Sequence, residues 1–328
     1  MLRTVTLNSG YDDVYEVGAV HWGGVTPIHS FEPRPAGKGI NVATLARSLG
    51  SEVCAYALVG EREAVDFGER LSALSLTHRI IKVPGRTRHN LTLSVRGSDQ
   101  IAAHMVSEGF TLSDRGPVDA LVDRLIAEVQ SGDIVTLNGS VPHGLPDTIW
   151  ADLAKEMLRA GARLIIDLQG AAFLAALRDN RSILLAKPNE EECRVLPNVS
   201  SAVTPEEAVV VALNSLSQFG VAIPLVTIGA QGCAYISHGE VYVSSCPVPD
   251  PRVAVGAGDA FLAGFCSALA SHEDPGEAIF SGLSVSSAYV SGQSPSGLRS
   301  AAKAFKERIV TAPGFDKGTA LPPGTVVS

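Results

Sequence analysis

The chain has 328 residues, 45% of them hydrophobic and 18% charged, which predicts a packed globular protein and excludes a disordered chain. A net charge of −8 argues against nucleic-acid binding, because phosphate backbones attract clustered Lys and Arg. The five cysteines are scattered without metal-binding spacing, and no apolar run is long enough to span a membrane. We therefore expect a cytoplasmic protein with no membrane or nucleic-acid partner.

Short apolar stretches alternate with helix-like stretches along most of the chain. TVTLN (4–8) predicts a buried strand, and KGINVATLARSLG (38–50) predicts a helix that ends at a glycine. Because strands that alternate with helices pair through right-handed crossovers, the fold class is predicted to be α/β, with a mostly parallel sheet covered on both faces. Further predicted strands lie at residues 133–139, 162–168, 183–189 and 223–232.

Two segments, 11–35 and 86–110, break this rhythm. They contain DDVYEVGAVHW and RHNLTLSVRG, in which polar and apolar residues alternate as they do in half-exposed strands. We expect these segments to form a small β lid inserted in a single α/β unit that spans residues 1–328. The alternative is that they are long loops.

The stretch VAVGAGDAFLAGF (253–265) carries the strongest chemical signal. Gly256 and Gly258 leave the main-chain N–H groups around Ala257 accessible, and the apolar run that follows predicts a helix whose positive end faces the same point. Asp259 places a carboxylate, which can accept a proton, next to this anion cradle. The combination suits phosphoryl transfer, although a glycine turn followed by a helix cap explains the same letters.

Three further motifs follow predicted strands or open predicted helices. In PAGKGINVA (35–43), glycines permit close backbone approach, while Lys38 and Asn41 can bind hydroxyls or phosphate. In LAKPNEEE (185–192), Asn189 and Glu192 lie one helical turn apart and can hold a magnesium-bound water and phosphate oxygens. VTIGAQG (226–232) suits nucleotide contact at the carboxyl edge of the sheet.

These motifs occur in an order that resembles the PfkB-type sugar kinases of the ribokinase-like superfamily, and within them the 1-phosphofructokinase and tagatose-6-phosphate kinase branch. The resemblance runs almost from end to end and includes Asp12 after TVTLN. Its other motifs are AGKGINVA, GRTRHN, NGSVP, AKPNEEE, TIGAQG and VGAGDAFLAGF. The resemblance implies a three-layer α/β/α core with a small β lid, and a substrate bound between the two.

The resemblance also implies roles for individual residues. Asp259 matches the catalytic base, and the three residues before it match the anion hole: Gly256, Ala257 and Gly258. Sugar hydroxyls would be bound by Asp12, Gly37, Gly39 and Asn41. The phosphate already on the sugar would contact Lys38, Arg88 and Asn90, with Asn138 and Ser140 near the sugar. ATP and Mg²⁺ would be bound by Asn189, Glu192, Thr227, Gly229 and Gly232, with Glu192 as the metal residue.

The chain departs from the family pattern in the first lid segment. The branch that acts on sugar phosphates usually carries a basic residue there, whereas this chain has Val25, Thr26 and Pro27. Losing one charged hydrogen-bond partner would weaken phosphosugar binding by about 1.5–3 kcal/mol. Ala254 also replaces the threonine that commonly precedes the anion hole, and Ala260 replaces a serine.

The leading hypothesis is therefore an ATP-dependent kinase that phosphorylates a ketohexose monophosphate, with fructose 1-phosphate converted to fructose 1,6-bisphosphate. A kinase of an unphosphorylated sugar or nucleoside is the alternative that the missing lid cation favours. A non-catalytic regulator that binds a sugar or nucleotide is the third, although it would have no need for Asp259. Many relatives dimerise through the lid, so a homodimer is expected.

Overall fold

The computed structural model describes residues 1–96 and 101–315, so residues 97–100 of the second predicted lid segment lie outside the described part. The helices lie on both faces of one large sheet, and a second, smaller sheet stands apart from it. Two short 3-10 helices follow the strand at 185–186, and a third follows the strand at 223–227. The nine helices of the described residues are α1 (Lys38–Ser48), α2 (Ala64–Ala73), α3 (Gly116–Glu128), α4 (Ile149–Arg159), α5 (Gly170–Asp179), α6 (Pro205–Gln218), α7 (Ala257–Ala270), α8 (Pro275–Val290) and α9 (Pro295–Lys306).

The large sheet has ten strands in the order β14-β13-β12-β11-β10-β9-β8-β1-β4-β5. Seven neighbouring strands of this order are parallel, namely β11, β10, β9, β8, β1, β4 and β5. At the other edge, β12, β13 and β14 extend the sheet in antiparallel pairing. The ten strands are β1 (Leu2–Thr6), β4 (Val53–Gly60), β5 (Thr77–Val83), β8 (Ile134–Gly139), β9 (Arg163–Leu168), β10 (Leu185–Ala186), β11 (Ile223–Thr227), β12 (Cys233–Ser237), β13 (Glu240–Ser245) and β14 (Val310–Pro313).

Two apolar cores lie on opposite faces of this sheet. Alternation along each strand sends side chains to both cores, so that Tyr56 of β4 belongs to the core covered by α3 to α6, while its neighbour Ala57 belongs to the core covered by α1, α2 and α7 to α9. Every residue of β4 is buried, as expected for a central parallel strand covered on both faces. This three-layer arrangement confirms the α/β fold expected from the sequence.

The smaller sheet is the lid. Its strands are ordered β3-β2-β6-β7, and β2 pairs in parallel with β6 and antiparallel with β3. The register places Asp12 between Arg34 and Asn90 on neighbouring strands, so that these three side chains share one face of the lid. The lid strands are β2 (Gly10–Val17), β3 (Ile28–Ala36), β6 (Arg88–Val95) and β7 (Ile101–Met105).

The parallel strands all end at one edge of the large sheet. The chain leaves β1 at Asn8, β8 at Ser140, β9 close to Asp167 and β10 at Lys187, while α1 and α7 begin beside the same edge. In open α/β sheets ligands bind at this carboxyl edge, because loops and helix N-termini converge there. The fold therefore concentrates the polar residues of distant motifs in one cleft beneath the lid.

Candidate active site

Asp259 is a buried carboxylate in the first turn of α7. It is 7% exposed, and its Oδ2 accepts a hydrogen bond of 2.8 Å from Nδ2 of Asn41 on α1. Burial and the nearby charge of Asp167 together raise the pKa of Asp259 to about 6, against the lowering effect of the Asn41 hydrogen bond. A carboxylate of this pKa can take a proton near neutral pH, as a general base must.

The loop before α7 presents free amides beside this carboxylate. Gly256 adopts a left-handed conformation with φ +88°, and a Cβ built at this position would lie 2.8 Å from the Tyr289 hydroxyl. The N–H of Ala257 points to the Ala254 carbonyl at 3.3 Å, so that amide is used in a turn. Within the part of the chain that the structure describes, the N–H of Gly258 has no protein acceptor. The N–H groups available to an anion in this loop are therefore mainly those of the two glycines.

Two lysines and two carboxylates form the charged floor of the cleft. Nζ of Lys38 lies 3.0 Å from Oδ1 of Asp167 and 3.1 Å from Oε1 of Glu192, and Nζ of Lys187 lies 3.5 Å from Asp167. Burial opposes ionisation of Asp167, but Lys187 and Lys38 together hold its pKa below the ordinary value. Burial likewise opposes the charge of Lys38, yet Asp167, Glu192 and Asp259 raise its pKa. Lys38 and Asp167 therefore both carry charge at neutral pH.

Asn189 and Glu192 are held together by reciprocal hydrogen bonds. Oδ1 of Asn189 accepts the main-chain N–H of Glu192 at 2.8 Å, and Oε2 of Glu192 accepts the N–H of Asn189 at 3.0 Å. This reciprocal pattern is that of a capping box, and it fixes the turn that leads into the 3-10 helix at Glu192–Val195. It leaves Oε1 of Glu192 directed at Lys38, with Gln169 Nε2 also donating to it at 3.2 Å.

On the lid side, Asp12 and Asn90 are hydrogen-bonded to each other. Nδ2 of Asn90 donates to Oδ1 of Asp12 at 2.8 Å, and Nη2 of Arg88 donates to the Asn8 carbonyl at 3.1 Å. Burial lowers the pKa of Arg88, and its Nε has no partner among the described residues. The motif GRTRHN thus places a cation and an amide next to Asp12.

The predicted sugar-binding residues of the core occupy different depths. Ser140 accepts a hydrogen bond of 3.0 Å from Asn8 at the cleft, whereas Asn138 is fully buried and its Nδ2 donates to Thr136 and to the Val5 carbonyl. Gly39 packs directly against the Thr6 hydroxyl, where no Cβ could fit. Gly37 has φ +122° and lies against Thr6 and the Ser9 backbone, so α1 can begin close to β1.

Of the predicted nucleotide residues, Thr227 is the last residue of β11, and Gly229 and Gly232 lie in the turn that follows it. Asn189 forms an isolated bridge with Thr227, which brings this turn next to the capping box. Gly229 and Gly232 have φ of +55° and +97°, conformations that favour glycine. The structure therefore joins the two motifs that were predicted to bind ATP.

Several polar residues of the cleft were not singled out from the sequence. Asp167 contacts both Lys38 and Lys187. Ser286 and Tyr289 of α8 donate hydrogen bonds to the backbone around Gly256. Asp167 is the penultimate residue of the strand RLIIDL, so a carboxylate near the end of a predicted parallel strand was a signal available in the sequence. Ser286 and Tyr289 give no such signal, because serines and a tyrosine are common on a buried helix.

The described residues contain no group of three or more His, Cys, Asp or Glu side chains able to hold a metal ion by themselves. Among the same residues, no helix is both long and apolar enough to cross a membrane.

The α/β core, the lid and the cleft with its buried carboxylate define a sugar kinase. The chain belongs to the pfkB family of carbohydrate kinases, whose model matches residues 11–300. It is 30% identical over 268 residues to 1-phosphofructokinase of Xanthomonas campestris pv. campestris, covering 81% of this chain and 83% of that protein.

Solved structures show the same fold. Phosphofructokinase-2 from Escherichia coli superimposes with a TM-score of 0.84 at 24% identity, covering 93% of this chain and 98% of that chain. Ribokinase from Thermotoga maritima gives a TM-score of 0.67 at 20% identity, covering 94% of this chain and 99% of that chain. The ribokinase-like fold expected from the motifs is thereby confirmed, and the chain is a carbohydrate kinase with ATP as the co-substrate.

Proposed function

We propose that this kinase phosphorylates a hydroxyl of a ketohexose monophosphate, with fructose 1-phosphate converted to fructose 1,6-bisphosphate. The observation that supports the proposal is that Arg88 and Asn90 lie beside Asp12 on the lid, while Asp259 lies with Asn41 at the carboxyl edge of the large sheet. A sugar bound between them would offer one end to a cation and the other to a base. The relative from Xanthomonas campestris is named 1-phosphofructokinase, which supports the same substrate.

In the proposed reaction Asp259 accepts the proton of the attacking sugar hydroxyl. The sugar oxygen forms a bond to the γ-phosphorus of ATP while the bond from that phosphorus to the bridging oxygen breaks, and ADP leaves with the electron pair. The main-chain N–H groups of Gly256 and Gly258 would donate to the phosphoryl oxygens in transit. Such preorganised donors usually supply the largest share of the stabilisation in phosphoryl transfer.

We propose Glu192 and Asp167 as the residues that bind Mg²⁺. Oδ2 of Asp167 is buried without a hydrogen-bond partner, so one carboxylate oxygen is available in the charged floor. Mg²⁺ usually takes one or two protein carboxylates together with water and substrate phosphates, which fits the small donor set found here. When bound, the ion would neutralise charge on the nucleotide phosphates, and Asn189 would hold Glu192 in position.

A second candidate is a kinase of an unphosphorylated sugar. It is favoured by the first lid segment, where Val25 is 87% exposed and no cation stands at residues 25–27. Lys38 is also engaged by Asp167 and Glu192, so it would not be free for a sugar phosphate without rearrangement. Arg88 is then the lid residue on which phosphosugar selection would depend.

One substrate panel separates these candidates. ADP release would be measured with fructose 1-phosphate, fructose 6-phosphate, tagatose 6-phosphate, fructose, ribose and a nucleoside, for the wild type and for Arg88→Ala. We expect fructose 1-phosphate to give the highest kcat/KM, and Arg88→Ala to lower it about 10- to 100-fold, the loss of one hydrogen bond to a charged group. If all three sugar phosphates are inert, the proposed substrate is wrong. Turnover of fructose or ribose that does not respond to Arg88→Ala would establish the second candidate.

We also propose that the chain is one kinase unit with lid segments at 11–35 and 86–110, and that the lid pairs two copies. The register places Tyr15 between Phe31 and Leu93 on the lid face opposite Asp12, and Phe31 is 51% exposed there. Ile28 and Met105 are also more than half exposed. Light scattering should give twice the chain mass, and Phe31→Glu should shift it towards the monomer. A monomeric wild type would contradict this pairing.

A further inference from the structure

Two side-chain hydroxyls of α8 hold the backbone on either side of Gly256. Oγ of Ser286 donates to the Ala257 carbonyl at 3.0 Å, and the hydroxyl of Tyr289 donates to the Val255 carbonyl at 3.1 Å. The two donors are three residues apart, so they lie on the same side of the helix. They therefore contact the anion-hole loop as a pair.

These carbonyls belong to the peptide groups that carry the glycine amides. The Val255 carbonyl shares its peptide plane with the N–H of Gly256, and the Ala257 carbonyl shares its plane with the N–H of Gly258. A trans peptide is planar, so its carbonyl and N–H point in opposite directions, and the described residues contain no cis peptide. A hydroxyl that holds the carbonyl towards α8 must turn the N–H away from α8.

Main-chain contacts fix the same loop from the other end. The N–H groups of Arg252 and Val253 donate to the Val290 carbonyl at 2.8 and 3.1 Å. The ring of Tyr289 also fills the space where a side chain on Gly256 would lie. The last two turns of α8 therefore form a rigid backing for the loop.

We propose that Ser286 and Tyr289 are positioning residues that aim the amides of Gly258 and Gly256 at the phosphoryl group being transferred. This inference rests on the proposed function, since it needs phosphoryl transfer at the head of α7. Both hydroxyls donate to main-chain carbonyls beside Gly256. The two hydroxyls would assist catalysis by fixing the direction of the Gly256 and Gly258 N–H groups before the substrate binds.

The test uses Ser286→Ala, Tyr289→Phe and the double variant, each of which removes a hydroxyl and keeps the rest of the side chain. Loss of a whole oxyanion donor costs about 100- to 1000-fold in kcat, so we expect a misdirected donor to cost about 10-fold per variant. The double variant should lose more than either single one. KM values for the sugar and for ATP should stay close to those of the wild type.

Matched controls remove similar hydroxyls that do not reach the loop. Ser287→Ala deletes a buried hydrogen bond of 2.8 Å to the Cys246 carbonyl, one residue further along the same helix. Tyr242→Phe deletes the hydroxyl of a tyrosine on β13 that contacts Glu240. Both should retain wild-type kcat, and thermal unfolding of all variants would separate folding defects from catalytic ones.

A second measurement detects the anion hole without turnover. ADP with aluminium fluoride mimics the phosphoryl group in transit, and we expect the double variant to bind this probe about 10-fold or more weakly while its affinity for ADP alone is unchanged. Wild-type kcat in the double variant, or an equal loss of affinity for both probes, would overturn the proposal. Rates are compared on whichever sugar the wild type phosphorylates, so a wrong substrate assignment would fail the sugar panel and leave this test intact.

Discussion

Charged side chains are buried at both ends of the large sheet, but the two ends differ in whether these side chains find hydrogen-bond partners within the protein. At the amino end, Arg3 of β1 donates to Asp133 at 2.9 Å and to the Tyr56 hydroxyl at 2.8 Å, and Asp133 also accepts the terminal amine of Met1 at 3.0 Å. Burial opposes ionisation of Asp133, yet its hydrogen bonds from Gln130, Arg3 and the terminal amine hold its pKa below the ordinary value. This cluster is complete without a ligand.

At the carboxyl end the partners are incomplete. Oδ2 of Asp167, Nε of Arg88 and Oδ1 of Asn8 are buried with no partner among the described residues, and burial raises the pKa of Asp259 to about 6. Unsatisfied buried polar atoms each cost about 1–3 kcal/mol, so they are uncommon outside functional sites. These three atoms lie at the carboxyl end of the sheet beneath the lid, where atoms of substrates would complete their hydrogen bonding.

The comparison predicts that a change at the carboxyl end affects catalysis, whereas a change at the amino end affects stability. The largest effect is expected for Asp259→Asn, which removes the base and keeps the shape and the Asn41 contact. We expect kcat to fall at least about 100-fold, the lower end for losing a general base. Calorimetric ATP titration should show near-normal nucleotide binding, and an unchanged kcat would remove Asp259 from its role.

The same variant should be more stable than the wild type. Below the ordinary pKa of 3.8 the carboxyl is protonated in both states, and stability falls as pH rises towards the folded-state pKa of about 6. Above that pH the full cost of the buried charge is present, about 1–3 kcal/mol, and Asn does not carry it. Urea unfolding at pH 7.5 should therefore show a higher free energy of unfolding for Asp259→Asn. Lower stability would contradict the raised pKa.

Arg3→Met tests the amino end. It leaves the buried carboxylate of Asp133 without its guanidinium, so we expect the free energy of unfolding to fall by about 3 kcal/mol, while kcat per folded molecule stays unchanged. The control is Arg124→Met, which breaks an exposed ion pair with Glu128 and should cost no more than about 0.5 kcal/mol. A loss of kcat without a loss of stability in Arg3→Met would contradict the claim that the amino end affects only stability.

Gly256→Ala tests the backbone of the anion hole. Alanine at φ +88° is strained by about 1–2 kcal/mol, and its Cβ would press on the Tyr289 hydroxyl, so we expect kcat to fall about 10-fold. Gly239→Ala is a matched control, because Gly239 has φ +82° and open space around the Cβ position. Both variants should lose stability through the strained φ, and only Gly256→Ala should lose activity.

The sequence predicted the layers of the fold because each parallel strand and helix has its own local pattern. It did not predict that β12, β13 and β14 extend the sheet in antiparallel pairing, since CAYIS and EVYVSS are ordinary strand patterns whose pairing direction is set by the turn and the neighbours. The partner of a strand is a long-range property that local periodicity does not contain.

For the site, the sequence motifs predicted which residues belong to it but not which residues contact one another. The capping box between Asn189 and Glu192 follows from their spacing, and the structure shows it directly. Lys38 lies against Asp167 and Glu192, 129 and 154 residues away, and no local pattern encodes such a pairing. The contacts of the Ser286 and Tyr289 hydroxyls with the backbone around Gly256 are long-range in the same way and were not predicted.

The smallest expected effect concerns the pH at which the base titrates. The hydrogen bond from Asn41 lowers the pKa of Asp259 and partly offsets burial, so Asn41→Ala should raise that pKa above its value of about 6. Because the ionised carboxylate is the active form, kcat/KM falls as pH drops through this pKa. The acid limb of the profile should therefore move to higher pH, by about one unit for the loss of one hydrogen bond to a charged group.

The midpoint of this limb separates the electrostatic effect from substrate binding. Asn41 is also a predicted sugar contact, so Asn41→Ala should lower kcat/KM at every pH as well as shift the midpoint. Asn90→Ala removes an amide on the lid that bonds to Asp12 and does not contact Asp259. It should therefore lower kcat/KM at every pH without shifting the midpoint. A midpoint that stays at the wild-type pH in Asn41→Ala would mean that burial and Asp167 set the pKa of the base without help from α1.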